Sequence, residues 1–443
     1  MENQSLLGET KENVEQAVIL YRNFVTMALS FSANHGCVVA CLAYASAQLG
    51  DHLGGYGSGI LYVFYALTAF FFAKPIVSMV GPKNGLLLGV GGYCVYVVGF
   101  LLAVMLTDTT TRWTIFISTN IVGGCAGGLL WTAQGRYFAR NAKLYAENMD
   151  ISVEASTASL AGVFAACYLG AEVVTKVIAT VVFISNEGSA PFIIFTTYTA
   201  IAFIAVFVVA RLDDLRDEGT WDFDTTSIVR NSLAAGAILL DEPRLTLLVP
   251  FQFAFGFVSS FMTFHVFGTV IGDSNSLGGT YIGLLSAIVA LTGAVTAVPA
   301  GWVAKHYGKS VLMTVGGLCF MLCGAAFLPG SLGNDLGTWE LIVPYLIMFG
   351  VGRGTWENTN KAVVADYFSD SAELSTSAFA CISFTSGISA AFGFFMWESI
   401  SVDVIAFLLT ITSLIAVLSY YVTAHMNERI KESKETASQS LGL

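Results

Sequence analysis

GGCAGGLLWTAQGRYFARNA, Gly123 to Ala142, is the stretch on which the fold reading turns. Five of its first six residues are Gly or Ala, which lets helix backbones approach closely where lipid replaces water and burial from water no longer drives association. Trp131 and Gln134 follow, and then Arg136, Arg140 and Lys143 mark an end held on the cytoplasmic side. A relative of this stretch, FGVGRGTWENTNKAVVADYF, lies at Phe349 to Phe368; Trp131 pairs with Trp356 and Arg136 with Lys361 at one offset of 225. The chain is therefore expected to consist of two related halves.

The remainder of the chain fits a membrane solvent. Of its 443 residues 55% are hydrophobic and 12% charged, with a mean hydropathy of +0.71, whereas soluble domains carry about 25% charged residues. All eight cysteines fall in apolar runs and read as small core residues, with no disulfide pair on a loop and no metal site. The net charge is -11, and no basic tract is long enough to follow a phosphate backbone, so nucleic acid is not an expected ligand. The first 16 residues are polar and acidic and the first apolar run is long enough to span, so no cleavable leader is expected.

Apolar runs of spanning length fall near 21–45, 58–80, 85–106, 114–135, 157–183, 191–210, 246–271, 280–304, 310–329, 340–362, 376–398 and 402–424. That predicts an all-α membrane protein with twelve transmembrane helices. With the N-terminus inside, nearly every cation becomes cytoplasmic; Arg112 alone falls in an outer loop, and Lys176 and Arg353 fall within helices. The division expected is a cytoplasmic tail 1–20, a six-helix half 21–210, a cytoplasmic linker 211–245, a second half 246–424 and a cytoplasmic tail 425–443. Helices two and eight repeat the duplication at an offset of 224, where Gly59 meets Gly283 and Pro75 meets Pro299. Parallel six-helix repeats are a transporter-like arrangement. Helices three, six and nine hold no charged residue in their spans and helix twelve only Asp403 at its start, and the four are expected at the lipid-facing rim.

After helix eight, GWVAKHYGKS, Gly301 to Ser310, resembles the G-x-x-x-D-R-x-G-R-K loop of the major facilitator superfamily, with Gly301, Gly308 and Lys309 matching and Lys305 standing at the Asp position. Within that superfamily, LYVFYAL, GGLLWTAQGRYFARNA, LAGVFAACYLGAEVVTKVI and FGVGRGTWENTNKAVVADYF resemble the uncoordinated-ninety-three ion-channel-regulatory family, over about Tyr21 to Tyr420. The resemblance implies a twelve-helix facilitator fold. It also implies the roles described for such proteins: channel regulator, trafficking partner of endosomal receptors, or orphan transporter. No catalytic motif comes with it.

Charged and polar residues inside spans are the functional candidates. Arg353 lies mid-helix with Glu357 one turn on, either as a structural latch or as a cavity-lining pair beside Trp356. Glu172 and Lys176 have the favourable order of an i, i+4 pair, and read either as self-satisfied or as a proton or ion relay. Asn34 and His35 in helix one and His265 in helix seven either make fixed hydrogen bonds or switch protons. Trp131 and Gln134 could contact a solute, or Trp131 could anchor at the interface. Glu2, Leu6 and Leu7 have the spacing of an acidic dileucine sorting signal, which would send the protein to an endolysosomal or vacuolar membrane rather than the plasma membrane. No nucleophile elbow, phosphate loop or cofactor motif appears, so an enzyme is not expected. Two functions remain: regulator or trafficking partner of an ion channel or receptor, and secondary transporter of a small solute, with a proton as a possible coupling ion.

Overall fold

The computed structural model describes residues 2–186, 188–215, 236, 239, 241–273, 276–368, 372–396 and 399–440. Twelve long helices run through the described residues: α1 (Glu2–Leu49), α2 (Asp51–Leu67, continued through a π turn Thr68–Phe72 into Ala73–Val80), α3 (Pro82–Met105), α4 (Thr109–Met149), α5 (Val153–Ser185), α6 (Ala190–Ala210), α7 (Val249–Phe261, continued as a π segment Met262–Ile271), α8 (Ile282–Tyr307), α9 (Lys309–Ala325), α10 (Trp339–Tyr367), α11 (Ala372–Met396) and α12 (Val402–Ser440). Among these residues ten helices are long and apolar enough to cross a membrane. Helix α9 is apolar but only 17 residues long. In α10, Glu340 and Arg353 interrupt the apolar run. The all-helical expectation is met.

Local chemistry sets the ends. Asp108 caps α4 by accepting from the Thr111 amide at 2.8 Å, and its hydrogen bonds to Thr111 hold the carboxyl below the usual range. Ser152 caps α5 in the same way through the Ala155 amide. Gly81 ends α2 and Gly308 ends α8 with one conformation, φ 86° and ψ 160°, which an L side chain would strain. The duplication read from side chains is thus repeated in the backbone.

By compactness the chain forms two units, Met1–Leu42 with Leu67–Asp224, and Ala43–Ala66 with Thr225–Leu443. In the first, α3 packs on α4 and on α6; in the second, α9 packs on α10 and on α12, so the pairing repeats helix for helix. Compactness cuts α1 near its C-terminal end and α2 about midway, because residues 43–66 are fastened into the second unit. The Tyr44 hydroxyl accepts from the Gly283 amide at 2.9 Å, and the Tyr62 ring stacks on Phe394 at 5.6 Å. Helices α3, α6, α9 and α12 expose Leu88, Phe203, Leu318 and Leu418 among others, as a lipid-facing rim would.

Candidate functional site

In the first unit an aromatic box forms around His35. Helix α1 is fixed to α3 by Asn34, wholly buried, whose Nδ2 donates to the Val90 carbonyl at 3.3 Å. The next residue, His35, places Nε2 3.1 Å from the Tyr168 hydroxyl of α5; which of the two donates depends on the imidazole tautomer. Trp131 of α4 meets the His35 ring edge-on at 5.3 Å and Tyr168 at 5.7 Å, while Phe31, Tyr93 and Phe164 close the remaining sides. His35, Trp131, Phe164 and Tyr168 are half-buried. Gln134 is buried one turn along α4 from Trp131. Among the described residues such a box offers π faces and edges, the His35–Tyr168 hydrogen bond and no charged side chain, a chemistry suited to an aromatic or cationic solute.

Of the sequence candidates, His35 and Trp131 meet here, with Asn34 next to His35 in the chain and Gln134 one turn from Trp131. Tyr168, Phe164, Phe31 and Tyr93 were missed. Their signal was present: Phe164 and Tyr168 on α5 and Phe31 and His35 on α1 are each spaced i, i+4, which puts rings on one face.

The α5 face continues from Tyr168 to Glu172 and Lys176. Lys176 Nζ lies 2.6 Å from Glu172 Oε1, with 5% and 3% of the two side chains exposed. The neighbouring Thr175 hydroxyl donates to the Ala171 carbonyl at 2.9 Å and reaches the Gly36 carbonyl of α1 at 3.4 Å, and Tyr198 of α6 donates to the Thr175 carbonyl at 2.7 Å. The ion pair therefore sits in a stretch of α5 tied to α1 and α6.

The second unit holds the other candidates. Trp356 is fully buried, stacked on Phe251 at 3.9 Å and tilted against Phe320 at 4.8 Å. Nearby, Gln252 and Asn360 exchange two amide hydrogen bonds of 2.7 and 2.9 Å, tying α7 to α10. Arg353 is half-buried. The Glu357 side chain lies outside the described residues, and so does its pairing with Arg353. His265 is buried between Phe261 at 5.5 Å and Phe327 at 5.1 Å. The Glu2, Leu6 and Leu7 side chains also lie outside the described residues. Among those described, no three of His, Cys, Asp and Glu come together as metal ligands.

The family model of the Major Facilitator Superfamily matches residues 23–394. The chain belongs to that superfamily. Within it, this facilitator is similar to UNC93-like protein 3 of Arabidopsis thaliana, 22% identical over 399 residues, which covers 85% of this chain and 79% of the relative. It is likewise similar to Protein unc-93 homolog A of Homo sapiens, 22% identical over 366 residues, 73% of this chain and 76% of that one. Among solved structures, the inward open conformation of the xylose transporter XylE from E. coli superposes with a TM-score of 0.59 at 13% identity, over 93% of this chain and 95% of the other. That likeness concerns the fold alone. In the facilitator loop the departing Lys305 is exposed, whereas Lys309 donates to the Ala362 carbonyl at 3.0 Å and pairs with Asp366, fastening the loop to the last turns of α10.

Proposed function

We propose that this facilitator acts as a regulator or trafficking partner of an ion channel or receptor rather than as a solute pump. The observation that carries the reading is the likeness to UNC93-like proteins along 85% of the chain. Two local features support it. Glu172 and Lys176 neutralise each other at 2.6 Å while buried, which favours scaffolding over relay, and Lys305 stands where the loop signature has an acid. Co-expression with a panel of channels and receptors should change the surface amount or current of one of them, while proteoliposomes holding only this protein show no solute flux. Flux from the protein alone would overturn the reading.

A second reading, secondary transport, is favoured by one feature, the half-buried aromatic box of His35, Trp131, Phe164 and Tyr168. A solute moved by this route would use the box, so Trp131→Ala would abolish its flux; intact flux in that variant would remove the box from consideration.

The proposal places both termini in the cytosol, with halves 21–210 and 246–424 joined by the linker 211–245, in agreement with the cation count. Lipid bilayer surrounds the helices, and a channel or receptor is the partner. Glu2, Leu6 and Leu7 then face the sorting machinery. Changing Leu6 and Leu7 to Ala should move the protein from endolysosomal or vacuolar membranes to the plasma membrane. An unchanged distribution under microscopy and surface labelling would eliminate the signal.

A further inference from the structure

On the side of the first unit that carries Arg136, α1 and α4 extend as an antiparallel pair. Phe24 packs edge-on against Phe138 at 5.3 Å, Asn141 Nδ2 donates to the Leu20 carbonyl at 3.1 Å, and the Tyr21 ring lies 6.2 Å from Tyr145. Ala17, Leu20, Ala142 and Ala146 fill the seam. At its far end five large apolar side chains are nonetheless exposed: Val14 at 49% and Val18 at 62% on α1, and Met149 at 41%, Ile151 at 41% and Val153 at 45% around the turn into α5. That turn is firmly built. Asp150 takes the left-handed conformation at φ 51°, the Ile151 amide donates to the Ala146 carbonyl at 3.1 Å, and Ser152 caps α5.

The far end of this pair projects past the bilayer. Arg136, Arg140 and Lys143 mark the inner boundary, and Met149, six residues past Lys143 and thirteen past Arg136, stands about 9–20 Å beyond it at 1.5 Å per residue, further than a headgroup layer of about 5–8 Å reaches. Charge decides what could cover it instead. Glu15, Glu147 and Asp150 are exposed around the apolar residues, while the cations Arg22 and Lys143 lie on the membrane side. An acidic rim is repelled by the anionic cytoplasmic leaflet and attracts cationic protein. Membrane proteins carry their excess of Lys and Arg on the cytoplasmic flanks of their spans.

We propose that Val14, Val18, Met149, Ile151 and Val153, rimmed by Glu15, Glu147 and Asp150, form a cytoplasmic docking surface for the basic amphipathic juxtamembrane segment of a partner membrane protein. The inference rests on the regulator reading above and names the place where the partner is held.

The test uses the full chain in nanodiscs of neutral phosphatidylcholine, with empty discs as the blank, and reads fluorescence anisotropy. The probe is a labelled helical peptide with Leu on one face and Lys on the other. The basic peptide should bind and weaken with salt, and the same peptide with Glu for Lys should not bind. Val14→Asp with Val18→Asp, and separately Glu15→Lys with Glu147→Lys, should each weaken binding about tenfold or more, since both sets are exposed and the fold does not depend on them. Equal binding of the two peptides, or unchanged binding by both variants, would overturn the proposal. So would a Val18→Asp-sensitive dimer in light scattering, which makes the patch a contact between copies, or Val18-dependent capture of phosphatidylserine vesicles, which makes it a membrane contact. Solute flux from the protein alone alongside selective peptide binding would overturn the regulator reading and leave the surface standing. Absent flux with unselective peptides would overturn the surface and leave that reading.

Discussion

Lys176→Met is expected to cost the folded protein about 3–5 kcal/mol, because it leaves the Glu172 carboxylate buried without its ammonium partner. The pair has 5% and 3% of its side chains exposed and sits on a part of α5 tied to α1 and α6, so the charge left behind stays in a buried place. Glu172→Gln alone should be similarly damaging, since it buries the Lys176 ammonium. The double variant removes both charges and should recover most of the loss in detergent-extracted yield and thermal stability. That recovery identifies scaffolding; a relay needs the charges themselves. A double variant as unstable as the singles would show that other contacts of the two side chains carry the cost, and near-native stability in both singles would show that the site is wetter than its burial indicates.

Trp356→Ala should destabilise by about 3–5 kcal/mol, and Trp131→Ala by much less, although the two tryptophans occupy one position of the repeat. Trp356 is fully buried between Phe251 and Phe320, and its removal opens a cavity that the Gln252–Asn360 amide pair resists closing. Trp131 is half-buried beside His35, so less packed surface is lost with its side chain. Thermal unfolding of both variants in one detergent checks this. Equal losses would mean that the box is as tightly filled as the Phe251–Trp356 stack.

Much of the architecture was legible in the chain itself. The small residues at Gly123 to Gly128, followed at once by Arg136 and Arg140, specify a closely packed helix with a fixed end, and the constant offset to Trp356 and Lys361 specifies its repeat. The polar candidates of the first unit were legible for a related reason: in hydrocarbon, Asn34, His35, Glu172 and Lys176 are costly wherever they are unsatisfied, so each marks a place where protein rather than lipid must be opposite. The ion pair was legible as well, since both partners lie one turn apart on a single helix.

Partners from other helices were not legible. Tyr168 as the hydrogen-bond partner of His35, Gln252 as the mate of Asn360, and the fastening of residues 43–66 to Gly283 and Phe394 all join residues more than a hundred positions apart. Periodicity states which residues share a face and is silent on what that face meets. The sequence by itself thus determined the helices, their duplication and the polar residues that had to be housed. Only the tertiary structure decided that Trp356 is fully buried while Trp131 stays half-buried, because lipid and protein interior are equally apolar, and a side chain's hydropathy is the same whichever of the two it faces.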